Sequence, residues 1–194
     1  MGTGTVRISR KTRETDITLE LDLLRAGTIQ LSSGLPFFDH LLHAMSFHGG
    51  FSLTLTATGD LEVDPHHLVE DVGLVLGDAL RTWAVEKGPV ARYGNTFIPM
   101  DDSLSQVVID VCERPYLVFE VQWPQERSGT FDMSLLSEFF NALSSRARIN
   151  LHLLCHYGRN SHHMAESLFK ALGRAIREAY RSTEGEVPST KGML

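Results

Sequence analysis

His66-His67-Leu68-Val69-Glu70 and His162-His163-Met164-Ala165-Glu166 are two copies of one pentapeptide, His-His-x-x-Glu, and each opens an apolar stripe. Leu68, Val72, Val75, Leu76, Ala79, Leu80 and Trp83 follow the first copy; Leu168, Leu172, Ala175, Ile176 and Ala179 follow the second. Recurrence every three or four residues marks an amphipathic helix. The spacing predicts helices over His67–Val85, ended by Gly88-Pro89, and over His163–Tyr180.

Upstream of each pentapeptide the same order repeats. In the first half Ile17, Leu19, Leu21 and Leu23 alternate with polar residues as a half-buried strand over Asp16–Leu23. A helix from Leu35 to about His48 carries Phe37-Phe38 and stops at Gly49-Gly50, and Phe51–Thr58 alternates again. In the second half Val107, Ile109, Val111 and Leu117, Phe119, Val121 read as two strands around a turn at Glu113–Pro115. Asp132–Ala147 reads as a helix containing Glu138-Phe139-Phe140, and Ile149–Cys155 as a strand. Strands, a Phe-Phe helix, a strand, a polar loop and the His-His helix thus occur twice. The period is too long for a solenoid and indicates an internal duplication. The expected halves are 1–90 and 91–194, with the boundary near Gly88–Gly94 and an α+β architecture in each. The polar tail from Thr183 is expected to be irregular.

Composition narrows the function. The chain has 194 residues, 42% of them hydrophobic, enough for one sizeable domain or two small joined ones. Eighteen basic against 24 acidic residues give a net charge of −6. No Lys/Arg run is present, which argues against nucleic acid or an anionic membrane as partner. No apolar run reaches the roughly 18 residues of a membrane span, and no signal-peptide pattern opens the chain. Cys112 and Cys155 lack metal-type spacing and are expected to be buried, reduced thiols. A reducing, cytoplasmic setting follows as the expectation.

The nine histidines cluster in a way composition does not explain. A preference for Glu in the first helical turn accounts for the glutamates, not for the paired histidines. On a helix, residues four apart share a face, whereas adjacent residues point about 100° apart. His66 with Glu70 can therefore hold one ion and His162 with Glu166 another. His67 and His163 point elsewhere. The economical solution crosses the halves: His66, Glu70 and His163 for one metal, His162, Glu166 and His67 for the other, within one chain or across a subunit contact. His40 is a candidate further ligand for one site, Glu138 stands at the related place for the other, and His152 competes. Nitrogen and oxygen donors without thiolate suit six-coordinate Mn²⁺ or Fe²⁺, with Zn²⁺ or Co²⁺ as substitutes.

Other charged positions are weaker signals alone. Arg10-Lys11-Thr12-Arg13-Glu14-Thr15 reads as a solvated cluster before the first strand. Arg92, Arg114, Lys170, Ser189 and Lys191 would hold a phosphate if they converge.

Phe37-Phe38-Asp39-His40, His48-Gly49-Gly50-Phe51, both His-His-x-x-Glu copies and Gly158-Arg159-Asn160 together resemble the imidazoleglycerol-phosphate dehydratases, in the monofunctional form. So do Arg10-x-Thr12-x-Glu14-Thr15, Pro99-Met100-Asp101-Asp102, Arg114-Pro115-Tyr116 and Pro188-Ser189-Thr190-Lys191-Gly192. The resemblance runs from Val6 to Leu194. It implies two halves of the ribosomal protein S5 domain 2-like type, each a four-stranded sheet with two helices on one face. It implies two Mn²⁺ per active site and trimers that assemble into a 24-mer with sites between subunits. The ligands it implies are His40, His67, His162 and Glu166 for one ion, and His66, Glu70 and His163 for the other. For the last ligand the family often has His where this chain has Glu138.

The reaction implied is loss of water from imidazole glycerol phosphate to give imidazole acetol phosphate, in histidine biosynthesis. No carbonyl acidifies the hydrogen to be removed. Two metals holding the substrate's imidazole as imidazolate would help expel the hydroxyl, after which the adjacent proton becomes acidic. Glu14 is the expected proton-transfer group, with Glu166 assisting from the metal shell and His48 as a lesser candidate. Substrate contacts are expected from Glu14, His40, His48, His66, Glu70 and His162, and phosphate contacts from Arg92, Arg114, Lys170, Ser189, Thr190 and Lys191. Two rivals are a two-metal phosphate-ester hydrolase, distinguished by phosphate release, and a metal-storage protein, which leaves Glu14 and the tail without a role.

Overall fold

The structure, a computed structural model, describes residues 4–183. Two four-stranded sheets enclose four helices. The first sheet has the order β1-β2-β4-β3, from β1 (Val6–Lys11), β2 (Thr15–Asp22), β3 (Ile29–Ser32) and β4 (Ser52–Gly59). The second repeats it as β5-β6-β10-β7, from β5 (Tyr93–Met100), β6 (Ser103–Val111), β7 (Tyr116–Glu120) and β10 (Ile149–Tyr157). In each, the final central strand runs antiparallel to its inner neighbour and parallel to the outer one. The expected α+β duplication is therefore present strand for strand. A short ribbon of β8 (Arg127–Ser128) and β9 (Phe131–Asp132) is an addition to the second half.

Alternation decides which face each strand buries. Ile17, Leu19 and Leu21 of β2, Leu53 and Leu55 of β4, Val107 and Ile109 of β6, and Leu151 and Leu153 of β10 all point into the core. That core is shared by both halves. Against the inner faces lie α1 (Pro36–Gly49), α2 (His66–Lys87), α3 (Leu135–Ala147) and α4 (Ser161–Ala179). The helices pair across the duplication, α1 with α4 and α2 with α3. No helix among the described residues is long and apolar enough to cross a membrane.

Several local expectations change. The third helix begins at Leu135, not Asp132, because Asp132 belongs to β9 and accepts hydrogen bonds from the Ser134 backbone N–H and hydroxyl. The two strands expected around the Glu113–Pro115 turn are present as β6 and β7, with β10 lying between them. Arg10 and Lys11 end a strand, and Arg10 Nε donates to Asp71 Oδ1 at 2.9 Å, so the cluster there is not merely solvated. Both thiols are free, but Cys155 is only half-buried. Of the tail, Thr183 donates its backbone N–H to the Pro89 carbonyl, and the remainder lies outside the described residues.

Glycine sets the helix separations. Gly77 and Gly173 hold the same place, eleven residues after the first histidine of their pentapeptides. A Cβ on Gly173 would lie 1.9 Å from the Met45 carbonyl oxygen of α1, and one on Gly77 would lie 2.8 Å from the Leu143 carbonyl oxygen of α3. Backbone therefore packs on backbone at both crossings, and any side chain there would force the helices apart.

Candidate metal centre

Each His-His-x-x-Glu motif opens its helix under a cap two residues upstream. Asn160 Oδ1 accepts the backbone N–H groups of His162 at 2.9 Å and His163 at 3.4 Å. Asp64 Oδ1 accepts that of His66 at 2.7 Å. These bonds satisfy N–H groups with no partner inside the helix and hold both histidine pairs in the first turn.

Where α1 meets α4, three donors converge. Glu166 Oε2 lies 3.0 Å from His40 Nε2 and 3.2 Å from His162 Nε2. All three ligand atoms fall within 4.8 Å of one another. Phe37 packs against both rings, with centroids 6.2 Å from His40 and 5.2 Å from His162. The other Glu166 oxygen, Oε1, faces Lys170 Nζ at 2.8 Å. Burial opposes ionisation of Glu166, but Lys170 and His40 outweigh it and hold the carboxyl at about 2. A carboxylate ionised at neutral pH between two imidazoles matches the nitrogen–oxygen donor set of a divalent transition ion.

The related place in the other half is looser. His66 Nε2 and Glu70 Oε2 are 3.9 Å apart, and Glu70 is far more exposed than Glu166, at 44% against 12% of its side chain. Position 74, the counterpart of Lys170, is leucine. Glu138 is half-buried in the first turn of α3, with Oε1 3.5 Å from the Ser137 hydroxyl. His152 alternates with the core-facing Leu151 and Leu153, so it lies on the sheet face away from the helices.

The second histidine of each pair turns from its neighbour toward a carboxylate. His67 Nδ1 lies 3.2 and 3.3 Å from the two oxygens of Asp60, with Glu14 Oε2 at 3.8 Å. His163 Nδ1 lies 2.6 Å from Asp102 Oδ1, and its Nε2 lies 3.6 Å from Asp101 Oδ2. Neither joins the cluster of His40, His162 and Glu166. Within one chain the two motifs thus do not complete each other.

Several participants were not among the expected site residues. Asp102 also accepts the backbone N–H groups of Arg159 and Asn160, tying the β5–β6 turn to the start of α4, and its carboxyl is lowered to about 2, chiefly by the bond from His163. Asp71, nearly buried, binds Arg10 and the Thr15 hydroxyl. Thr12 Oγ1 accepts the backbone N–H groups of Glu14 and Thr15. The Glu14 turn is therefore fastened to α2 immediately after Glu70. The only signal for Asp102 was its place in Pro99-Met100-Asp101-Asp102, and Asp60 had none.

His48 is exposed at the end of α1, and desolvation with the positive charges of Lys170 and Arg174 lowers its pKa, favouring neutral imidazole. It borders an open cavity of about 630 Å³ with Arg174, Arg177 and Arg181. Among the described residues, the expected phosphate-binding residues Lys170 and Arg92 do not meet. Lys170 is beside Glu166, whereas Arg92 precedes β5 at the opposite end of its sheet, roughly 30 Å along the strand from the Asp101–Asp102 turn. Arg92 is fixed by Asp110, with Nε to Oδ1 at 2.7 Å. Arg114 is exposed and donates to the Cys112 carbonyl. Ser189, Thr190 and Lys191 lie outside the described residues.

Fold and site together define a duplicated α+β scaffold with a histidine- and carboxylate-lined site of the kind that holds a divalent cation. A family profile described as imidazoleglycerol-phosphate dehydratase matches residues 33–176. An imidazoleglycerol-phosphate dehydratase from Geobacillus sp. (strain WCH70) is 50% identical over 190 residues, covering 96% of this chain and 97% of that protein. One from Gluconobacter oxydans (strain 621H) is 48% identical over 191 residues, covering 97% and 96%. Among solved structures, the Staphylococcus aureus subsp. aureus N315 enzyme superposes with a TM-score of 0.84 at 35% identity, covering 92% of this chain and 99% of that one. The Pyrococcus furiosus enzyme, solved in complex with (S)-C348, gives 0.86 at 38% identity, covering 96% and 100%. This chain belongs to the imidazoleglycerol-phosphate dehydratase family of hydro-lyases.

Proposed function

We propose that the chain removes water from imidazole glycerol phosphate to give imidazole acetol phosphate, using two Mn²⁺ ions held between copies of itself. The observation that carries this reading is the convergence of His40, His162 and Glu166, with the second histidine of each motif, His67 and His163, turned away toward a carboxylate. His67 from another copy would complete the first ion's ligands. His163 would do the same for the ion held by His66, Glu70 and Glu138. A carboxylate at 138 is an acceptable oxygen donor for this ion.

When bound, the ions supply Lewis acidity that holds and polarises the substrate's imidazole. Glu14 is the proposed proton carrier: its carboxylate is exposed on a turn pinned to α2, 3.8 Å from His67. Glu166, with Lys170 on one oxygen and two imidazoles on the other, is engaged on both oxygens and serves first as a ligand, assisting proton transfer only from that position. Neutral His48 is placed to accept or relay a proton at the rim. Lys170, with Arg92, Arg114 and residues 189–191 contributed by other copies, would grip the phosphate and fix the reacting carbons.

Sites completed between subunits call for trimers and a 24-mer, and exposed Phe47, Tyr93, Phe97, Tyr116 and Tyr157 supply aromatic surface for such contacts. A cytoplasmic biosynthetic role fits this chemistry. The test is Mn²⁺-loaded, assembled protein with imidazole glycerol phosphate. Ketone formation is expected; phosphate release in its place would overturn the reading. Glu14→Gln should keep both metals while losing about 10²–10⁴ in turnover, and full activity would remove Glu14 from the mechanism.

A further inference from the structure

Asp60 and Asp102 are carboxylates for which the chemistry above has no task, and they stand at different places in the duplication. One follows β4 and the other is in the turn after β5, yet each meets Nδ1 of the second histidine in a pentapeptide. An ionised carboxylate can only accept hydrogen bonds. The nitrogen facing it must therefore carry the proton, which leaves Nε2 with its lone pair free for coordination. The first histidines are oriented the other way, with His66 and His162 presenting Nε2 toward the glutamate four residues on.

We infer that Asp60 and Asp102 are positioning residues that fix His67 and His163 in the tautomer and orientation needed to donate Nε2 to an ion held by another copy of the chain. The inference rests on the reading that these two histidines are shared ligands. A metal-binding imidazole whose other nitrogen donates to a carboxylate is more basic and already oriented, and removal of such a partner costs about 10- to 100-fold in metal affinity. Asp102 combines this with two backbone bonds to the Arg159–Asn160 loop, so it sets the position of α4 as well as the ring. Among the described residues the Asp60 carboxylate hydrogen-bonds to His67 alone, which makes it the cleaner probe. The remaining acids near the rings are Asp64, which acts on His67 by charge alone, Glu14 beside His67 Nδ1 and Asp101 beside His163 Nε2. The last two are weaker partners than the aspartates: both are beyond hydrogen-bond distance and more exposed.

The experiment measures Mn²⁺ binding to the full chain by the electron paramagnetic resonance signal of the free ion, for wild type, Asp60→Ala, Asp60→Asn and His67→Ala. Melting temperature of the metal-free proteins is followed alongside. Asp60→Ala should weaken one class of site about 10- to 100-fold with an unchanged metal-free melting temperature. Asp60→Asn, which keeps an acceptor oxygen, should recover most of that loss. If His67→Ala weakens binding and Asp60→Ala does not, the positioning role is overturned while the shared ligand stands. If His67→Ala also binds normally, the shared-ligand reading fails and this inference fails with it. Loss of affinity only in step with a fall in the metal-free melting temperature, with no recovery by Asn, overturns it too.

Discussion

The two helix pairs are copies of one design, yet their sites differ. Between α1 and α4, Glu166 is nearly buried and clasped by His40, His162 and Lys170; between α2 and α3, Glu70 is half-exposed and 3.9 Å from its histidine. The backbones do not cause the contrast, since caps and glycines stand at matching places. Two side-chain differences accompany it: lysine at 170 against leucine at the equivalent position 74, and His40 on α1 against Glu138 on α3, which stand three residues apart relative to their Phe-Phe pairs. A duplicated scaffold thus holds one donor set pre-formed and its twin open. The difference teaches that symmetric backbone placement is separable from symmetric electrostatics.

The comparison can be broken most forcefully at the glutamates. Glu166→Ala should abolish measurable dehydration, by more than about a hundred-fold, and Glu70→Ala should do the same if both ions are required. Retained activity in Glu70→Ala would make the second site dispensable. The next effect is on stability. Gly173→Ala should lower the unfolding free energy by about 1–3 kcal/mol or more in urea titrations, and by more than Gly77→Ala, because its Cβ meets backbone oxygen at 1.9 Å rather than 2.8 Å.

A subtler test exchanges the electrostatics. Glu166 titrates at about 2 in the fold, below the roughly 4.3 of an unfolded chain. Its contribution is therefore fully present above the unfolded value and is lost as pH falls through the folded one. In metal-free protein Lys170→Met should flatten the pH dependence of the urea midpoint between those limits, and Leu74→Lys should steepen it by lowering Glu70. An unchanged profile in Lys170→Met would remove lysine as the cause. The smallest effect is expected at the surface pair Arg146–Asp78, which joins α2 to α3 at 2.8 Å. Replacing both partners should cost under about 1 kcal/mol.

Much of this was legible in the sequence, for a physical reason. α2 and α4 pack against a sheet and another helix, so their apolar stripes are wide, and the paired histidines mark their first turns. β1, β3 and β5 were missed because they are edge strands whose side chains are largely exposed on both faces, which erases alternation. The His162–Glu166 pairing follows from helical spacing alone. His40 could be placed beside it only through the duplication and the resemblance, because the contact spans 126 positions. Asp102 was hidden for the same reason, since its bond to His163 joins residues 61 apart. Asp60 is only seven residues from His67, but the irregular loop between them imposes no periodicity from which contact could be read.

The glycine crossing at Gly173 also bears on how such a protein can change over generations. Main chain resting on main chain sets the distance between α1 and α4, so it does not depend on which apolar side chains fill the surrounding core. Drift among leucine, valine and isoleucine in that core can shift melting temperature while leaving the spacing of His40, His162 and Glu166 alone. Lineages facing different temperatures can therefore retune the interior without re-solving the chemistry.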